Sequence, residues 1–259
     1  MSGTQSIERV INLLRAVASR GRSGMRLGDI AATSGLPTST CFRMLQRLEA
    51  EGVLERNPLS RKYQLGPLIY ELGLLANPRF QLAQRCEQTL DALAERTQDT
   101  VYLSERRGNE AVCSARALGD YPIKALTLDV GIRRPLGVGA GGLAILSALA
   151  PAEADEVITA HADRYPKLST LSAERVRAEV AQARDQGYAF LEGVVFPGTA
   201  AVGVTIPGLA DRAAISVAAI SSRLDEARRI EVASELKRQA ALLSRLLHAP
   251  GDTSLRSKH

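Results

Sequence analysis

Residues 27–65 read LGDIAATSGLPTSTCFRMLQRLEAEGVLERNPLSRKYQL, which sets a short helix, a turn, a second helix and a basic hairpin in succession. Leu27, Ile30 and Ala31 give the first segment one apolar side, and Thr33-Ser34-Gly35 carries residues that end a helix. Pro37-Thr38-Ser39-Thr40 opens the second helix, with proline suited to a first turn and Thr38 as the expected cap. Cys41, Met44, Leu45 and Leu48 recur at helical spacing and are expected inward, which turns Ser39, Phe42, Arg43 and Gln46 the other way. That outward set, with Thr38, Thr40 and Arg47 beside it, is what a helix in a DNA major groove needs. Hydroxyls near a helix start can bond phosphates or base edges, an arginine can make a paired contact to guanine, and a glutamine can pair with adenine.

Past Gly52, residues 53–56 and 62–65 read as two strands joined by Asn57-Pro58-Leu59-Ser60-Arg61, a wing with Arg56, Arg61 and Lys62 near its tip. Cations there strengthen DNA binding by neutralising phosphates and releasing counterions. Each feature alone also occurs in ordinary helical cores and solvated turns. Their succession in so short a stretch points to a winged helix-turn-helix. Upstream, Ile7, Val10, Ile11, Leu14 and Val17 space as a further amphipathic helix, expected to close the small core beneath the motif.

Charge divides unevenly along the chain. Up to Pro78, ten Arg and Lys face six Asp and Glu, which is +4 of the chain's +5 and leaves +1 for the rest. A basic amino-terminal domain on a nearly neutral remainder expects nucleic acid at one end only. The 259 residues suit two domains. Trp is absent and aromatics are 4% of the chain, so base-stacking platforms for single strands are not expected. No apolar run approaches the roughly 20 residues that cross a bilayer, and Met1-Ser2-Gly3-Thr4 does not open a signal peptide. A cytoplasmic protein without membrane contact is the expectation. Cys41, Cys86 and Cys113 are widely spaced and read as buried thiols, while His161, His248 and His259 lie apart, without the ligand spacing of a metal site. No metal and no cofactor are expected.

Residues 66–78 are too apolar for a free linker: Leu68, Leu72 and Leu75, flanked by Ile69 and Tyr70, make a short helix with an apolar flank. That flank suits either a dimer contact or packing on its own chain. Beyond it a helix is expected at 80–96, a hairpin of strands at 100–105 and 111–115 around Arg107-Gly108-Asn109, and a third strand at 124–130. Helices at 139–149, 152–160 and 173–186 precede strands at 188–192, 200–206 and 213–220, and a helix at 225–247 closes the pattern. Hairpins at both ends with helices between them argue for an α+β fold, an antiparallel sheet covered by helices, over a parallel doubly wound one.

Gly137-Val138-Gly139-Ala140-Gly141-Gly142 matches the dinucleotide-binding glycine pattern letter for letter. The mechanism behind that pattern needs a buried strand before it and an acid at the end of the next strand. Here the approach, Gly131-Ile132-Arg133-Arg134-Pro135-Leu136, is charged and broken by proline, and Glu153, Asp155 and Glu156 fall on a helix. A helix start with small side chains fits better. Its backbone N–H groups can face an anion such as a carboxylate, or the glycines only permit close helix packing.

Taken together, Ser6-Ile7-Glu8-Arg9-Val10, residues 35–45, Tyr63-Gln64-Leu65-Gly66, residues 131–142, Gly187-Tyr188-Ala189-Phe190 and Ala213-Ala214-Ile215-Ser216-Val217 resemble the IclR family of bacterial transcription regulators. The similarity runs in order over nearly the whole chain. It implies a winged helix-turn-helix DNA-binding domain over 1–65, a linker helix over 66–78, a GAF-like effector-binding domain over 79–249 and a flexible tail over 250–259, in homodimers that often pair into tetramers. Carried over by position, its small-molecule pocket includes Ala140 and Gly141, the neighbourhood of Leu191 and Glu192, Thr199 and Ala201 at and after the Phe196-Pro197-Gly198-Thr199 turn, and Ser216 with Ala218 on the late strand. Many members have His where this chain has Gly137, and some have polar groups where Ala201 and Ala218 stand, which implies a less polar cavity. Ser216, Thr199 and backbone N–H groups then become the polar contacts, suiting a small organic acid with an apolar or aromatic body. The expected function is a DNA-binding transcriptional regulator whose partners are a double-stranded operator and a small effector. Catalysis is not expected, since no nucleophile with a base, paired carboxylates or metal cluster stands out. The alternatives are a nucleotide-binding enzyme using residues 137–142 and an architectural DNA-binding oligomer without effector.

Overall fold

Gly35 ends the first motif helix in the computed structural model by adopting the left-handed conformation, φ 65° and ψ 17°, which glycine enters without a Cβ penalty. Residues 2–75 and 82–248 are described, and the chain divides into two units, Met1–Phe80 and Gln81–His259. The last part of the expected linker and the expected flexible tail lie outside the described residues.

The first unit comprises α1 (Ser2–Ala18), α2 (Leu27–Ser34), α3 (Thr38–Ala50), the antiparallel pair β1 (Leu54–Arg56) and β2 (Tyr63–Leu65), and α4 (Pro67–Leu75). Its core joins Leu13, Val17, Ile30, Cys41, Leu45, Leu54 and Tyr63, all essentially inaccessible. Two expectations need correction. The inward stripe of α1 is Leu13, Ala16 and Val17, with Val10 and Leu14 at its edge, whereas Ile7 and Ile11 are 67% and 41% exposed. Residues 4–9 are all exposed, so the first turns of α1 extend past the core that the stripe was expected to close. Thr38 is not a cap: Pro37 holds that position, its carbonyl accepts the Cys41 N–H at 2.9 Å, and no side chain bonds the first turn.

At the wing tip, Asn57 Oδ1 accepts the N–H groups of Leu59 and Ser60 at 3.0 and 2.9 Å. Its backbone N–H donates to the Lys62 carbonyl at 2.9 Å, and the chain returns through Arg61 at φ 57°. Such side-chain bonding is how asparagine fixes a tight turn. The wing base is closed by Gly66, where a Cβ would stand 2.3 Å from the Gly52 carbonyl oxygen. Helix α4 therefore starts hard against β1, while Tyr70, Leu72, Leu74 and Leu75 beyond it are 55–84% exposed.

The second unit is a six-stranded antiparallel sheet of order β5-β4-β3-β8-β7-β6, built from β3 (Thr100–Arg107), β4 (Glu110–Leu118), β5 (Arg133–Pro135), β6 (Ala189–Glu192), β7 (Thr199–Thr205) and β8 (Ala213–Ile220). Helices α5 (Leu82–Thr97) and α10 (Glu226–His248) cover one face through a core of Leu93, Leu103, Val202, Ile215, Val217 and Leu236. Helices α6 (Ala140–Ala148), α7 (Pro151–Ala160), α8 (Tyr165–Leu168) and α9 (Ala173–Gln186) cover the other around Leu136, Leu143, Ile145, Val176 and Val180. The α+β class and the antiparallel sheet agree with the expectation. Asp99, its side chain 1% exposed, joins this unit's start to its end: it accepts two hydrogen bonds from Arg223 at 2.9 and 3.1 Å and one from Arg228 at 3.3 Å. The Arg223 guanidinium, held above its usual pKa chiefly by that carboxylate, also lies 3.8 Å from the Tyr121 ring centre.

One expected strand is absent. Residues 124–130 form a loop, tied down where the Tyr102 hydroxyl donates to the Ala125 carbonyl at 2.8 Å and accepts the Thr127 N–H at 3.1 Å. Their apolar alternation finds no ladder partner, and Leu126 and Val130 stay exposed. The strand beside β4 is instead Arg133–Pro135, the segment whose charge and proline argued against one. It is an edge strand, where a missing N–H can face away from the ladder.

Candidate DNA interface and effector cavity

On α3 the inward and outward sets separate as helical periodicity requires. Cys41, Leu45 and Leu48 are buried and Met44 is half-buried, whereas Thr38, Ser39, Arg43, Gln46 and Arg47 are exposed and Thr40 and Phe42 are half-buried. Arg47 pairs with Glu51 one turn on, both side chains in solvent, a contact too weak to withhold it from a phosphate. On the wing Arg61 is exposed and Lys62 half-buried. Arg56 departs from the expected tip position. Its guanidinium folds over the Tyr63 ring at 5.4 Å, with Nε buried and unpartnered.

The second unit contains a cavity between the amino-terminal turn of α6 and the inner faces of β3, β7 and β8, with Thr127 and Leu128 on one side and Val194 and Val195 on the other. Inside its open mouth the enclosed space is about 60 Å³, which limits an occupant to a small molecule. The resemblance implied one pocket for Ala140, Gly141, Leu191, Thr199, Ala201, Ser216 and Ala218, and all seven line this cavity. Glu192 is exposed at the end of β6 and is not among the lining residues.

Glycines set the approach of α6 to the sheet. A Cβ on Gly141 would stand 2.5 Å from Ser104 Oγ, and one on Gly203 would stand 2.5 Å from the Ala140 carbonyl oxygen. The glycine run thus permits close packing and shapes the cavity floor at the same time. A side chain at 141 would first have to displace Ser104, whose Oγ and Cβ would stand 2.5 and 3.0 Å from the added Cβ. The dinucleotide arrangement is not met: the strand before the run is an antiparallel edge, and Glu153 and Asp155 on α7 are paired with Arg106 and Arg177 at 2.7 and 2.6 Å. Gly137 does not face the cavity either. A Cβ there would meet Val176, Leu146 and Tyr165, so its lack of a side chain has no bearing on cavity polarity.

Polar groups that sequence reasoning missed make the cavity more polar than expected. Tyr102 and Ser104, two apart on β3, face the same side as strand geometry requires. Arg133 and Arg134 are neighbours on β5 and must point to opposite faces: Arg133 is exposed and lies 3.7 Å from Glu110, while Arg134 turns into the cavity wall and donates to the Thr127 carbonyl. Burial pulls the Arg134 guanidinium below its usual pKa. No Asp or Glu lines the cavity, and no ion pair involves Arg134 among the described residues. Ser104 and Ser216 are each 5% exposed, and their hydroxyls have no hydrogen-bond partner among the described residues.

The remaining reactive groups lie elsewhere. The three thiols are free and buried; burial raises all of them, Cys86 to about 11 and Cys113 to about 12. They are protonated at neutral pH and are poor nucleophiles. His161 is buried with Nε2 3.1 Å from the Asn109 carbonyl. Among the described residues no three His, Cys, Asp or Glu converge on a metal-sized site, and no helix is long and apolar enough to cross a membrane.

Comparison with known proteins matches both units. Residues 6–58 fit the IclR helix-turn-helix domain, and residues 76–245 fit the bacterial transcriptional regulator IclR C-terminal domain. The chain is 27% identical over 249 residues to the HTH-type transcriptional regulator XynR of Escherichia coli, covering 95% of this chain and 98% of that protein. An IclR transcriptional regulator from Alicyclobacillus acidocaldarius superimposes with a TM-score of 0.73 at 25% identity, covering 93% and 98% of the two chains. An IclR homolog from Microbacterium hydrocarbonoxydans, crystallised with 4-hydroxybenzoate, does so with a TM-score of 0.73 at 23% identity, covering 94% and 99%. With both of its units matched in order, this chain belongs to the IclR family of bacterial transcriptional regulators.

Proposed function

We propose that this regulator binds an operator through α3 and the wing, and that a small organic acid with an apolar body, bound in the cavity beneath α6, changes that binding. The observation that carries the reading is the cavity itself: an apolar chamber with a few convergent polar groups, in a chain whose other unit presents Ser39, Arg43 and Gln46 on one exposed helix face. The seven lining residues reached from the resemblance support it. The Microbacterium IclR homolog complexed with 4-hydroxybenzoate supports aromatic acids as the first molecules to try.

The coupling is a linkage. A ligand that favours one arrangement of a dimer over another alters the match of its two recognition helices to their half-sites by no more than its differential affinity for the two. In the reading's favour is the exposed apolar flank of α4, Tyr70, Leu72, Leu74 and Leu75, which suits a dimer contact. A gel shift with the DNA upstream of this chain's own gene, repeated with aromatic and aliphatic acids, tests the proposal. Retardation of that fragment over random DNA, altered by at least one acid, is the expected result. Specific retardation that no acid changes, with no acid raising the melting temperature, favours an architectural oligomer instead.

A further inference from the structure

We propose that Arg134 is the charge-selecting residue of the cavity, the counter-ion that makes it accept a single-ring or branched monocarboxylate and reject the neutral amide of the same shape. The inference rests on the reading of this cavity as the effector site and adds what decides its occupant. A half-buried guanidinium in a cavity wall, with no acidic partner among the described residues, has lost part of its water without gaining a counter-charge; its acceptor among those residues is the Thr127 carbonyl. Removal of a cation from water is costly, and a ligand carboxylate returns that cost through charge-assisted, paired hydrogen bonds. The downward shift of the Arg134 pKa by burial agrees with that strain.

The other end of the cavity is polar but uncharged. Ser104 and Ser216 lie beneath the first turn of α6, both residues buried and their hydroxyls without a hydrogen-bond partner among the described residues. Sheet order separates the two ends: Arg134 is on β5 and Ser216 on β8, three strands away, or roughly 14 Å between strand axes at ordinary spacing. The long arginine side chain reaches back across part of that span towards Tyr102 and Thr127. Val138, Leu191 and Val194 line the cavity between the two ends, which suits the apolar body of the ligand. Ser104 and Ser216 thus suit a hydroxyl or carbonyl at the far end, and Arg134 the carboxylate.

Calorimetric titration of the full chain with benzoate and with benzamide at constant ionic strength tests this directly. Benzoate is expected to bind at least tenfold more tightly than benzamide. Arg134→Met should remove that preference, chiefly by weakening benzoate, and Arg134→Lys should retain part of it. Equal affinity for the two probes, binding of neither, or a preference that survives Arg134→Met overturns the inference. The wider functional reading fails separately: it falls if the upstream fragment is not retarded specifically, whatever benzoate does.

Discussion

The two units use arginine in opposite ways. On α3 and the wing, Arg43 and Arg61 stand in solvent with no ion pair among the described residues, so their charge is free to replace counterions on a polyanion. In the second unit, Arg134, Arg223 and Arg228 are partly or largely withdrawn from water, and two of them close on the carboxylate of Asp99. An exposed charge gives modest, salt-dependent attraction to any phosphate, whereas a desolvated one discriminates, because an unmatched partner leaves it stranded. The first kind suits a surface that scans DNA and the second a cavity or a core that must accept one partner.

The sharpest break in that comparison is at Asp99, where the charge is deepest. Asp99→Ala leaves two guanidinium groups, 20% and 32% exposed, facing an empty buried site. Removing one member of a buried pair costs about 3 kcal/mol or more, so the urea midpoint of the second unit should fall steeply, with the first unit's transition unchanged. A variant as stable as the parent would mean that Arg223 and Arg228 are satisfied by water and that burial in this unit does not sharpen charge. Next in size is Arg43→Ala. Loss of a paired base contact costs about 1–3 kcal/mol and relaxes the sequence preference at one position. Unchanged affinity and discrimination in a competition gel shift would remove α3 as the reading helix.

How far each site was legible in the sequence follows from how it is assembled. The DNA face lies on one continuous helix, so a period of 3.6 separates Cys41, Leu45 and Leu48 from Ser39, Arg43 and Gln46 without any knowledge of the rest. The cavity draws its polar groups from five places along the chain, Tyr102 with Ser104, Thr127, Arg134, Thr199 and Ser216. Family resemblance reached Ser216 but not Arg134, which stands in a segment that looked unlike a strand. The adjacent pair Arg133-Arg134 was the available signal, since strand alternation must turn one of two neighbours inward. Strand β4 hides a further irregularity. A bulge at Ser114 shifts the register between Leu103 and Ser104, so Ala111 and Cys113 face the layer that holds the cavity while Ala115 and Ala117 face α5. Composition carries no trace of such a switch.

The smallest expected effect is on the wing, and it separates the two uses of charge most directly. Arg61 sits at the tip in a left-handed conformation set by the Asn57 turn, and Lys62 follows it into β2. Neither has an acidic partner among the described residues. Replacing both with alanine should weaken binding to specific and random DNA alike, because phosphate contacts carry no sequence. Each phosphate released lowers the slope of log affinity against log salt by about 0.9, so the slope should fall by roughly 1–2 while the ratio of specific to random binding stays constant. The Asn57 turn uses backbone and its own amide oxygen, so the hairpin should persist with only the strain of alanine at a positive φ. An unaltered slope would place the wing away from phosphate and leave α3 alone to hold the duplex; an altered ratio would mean that the wing reads groove shape, and that exposed charge in this protein discriminates after all.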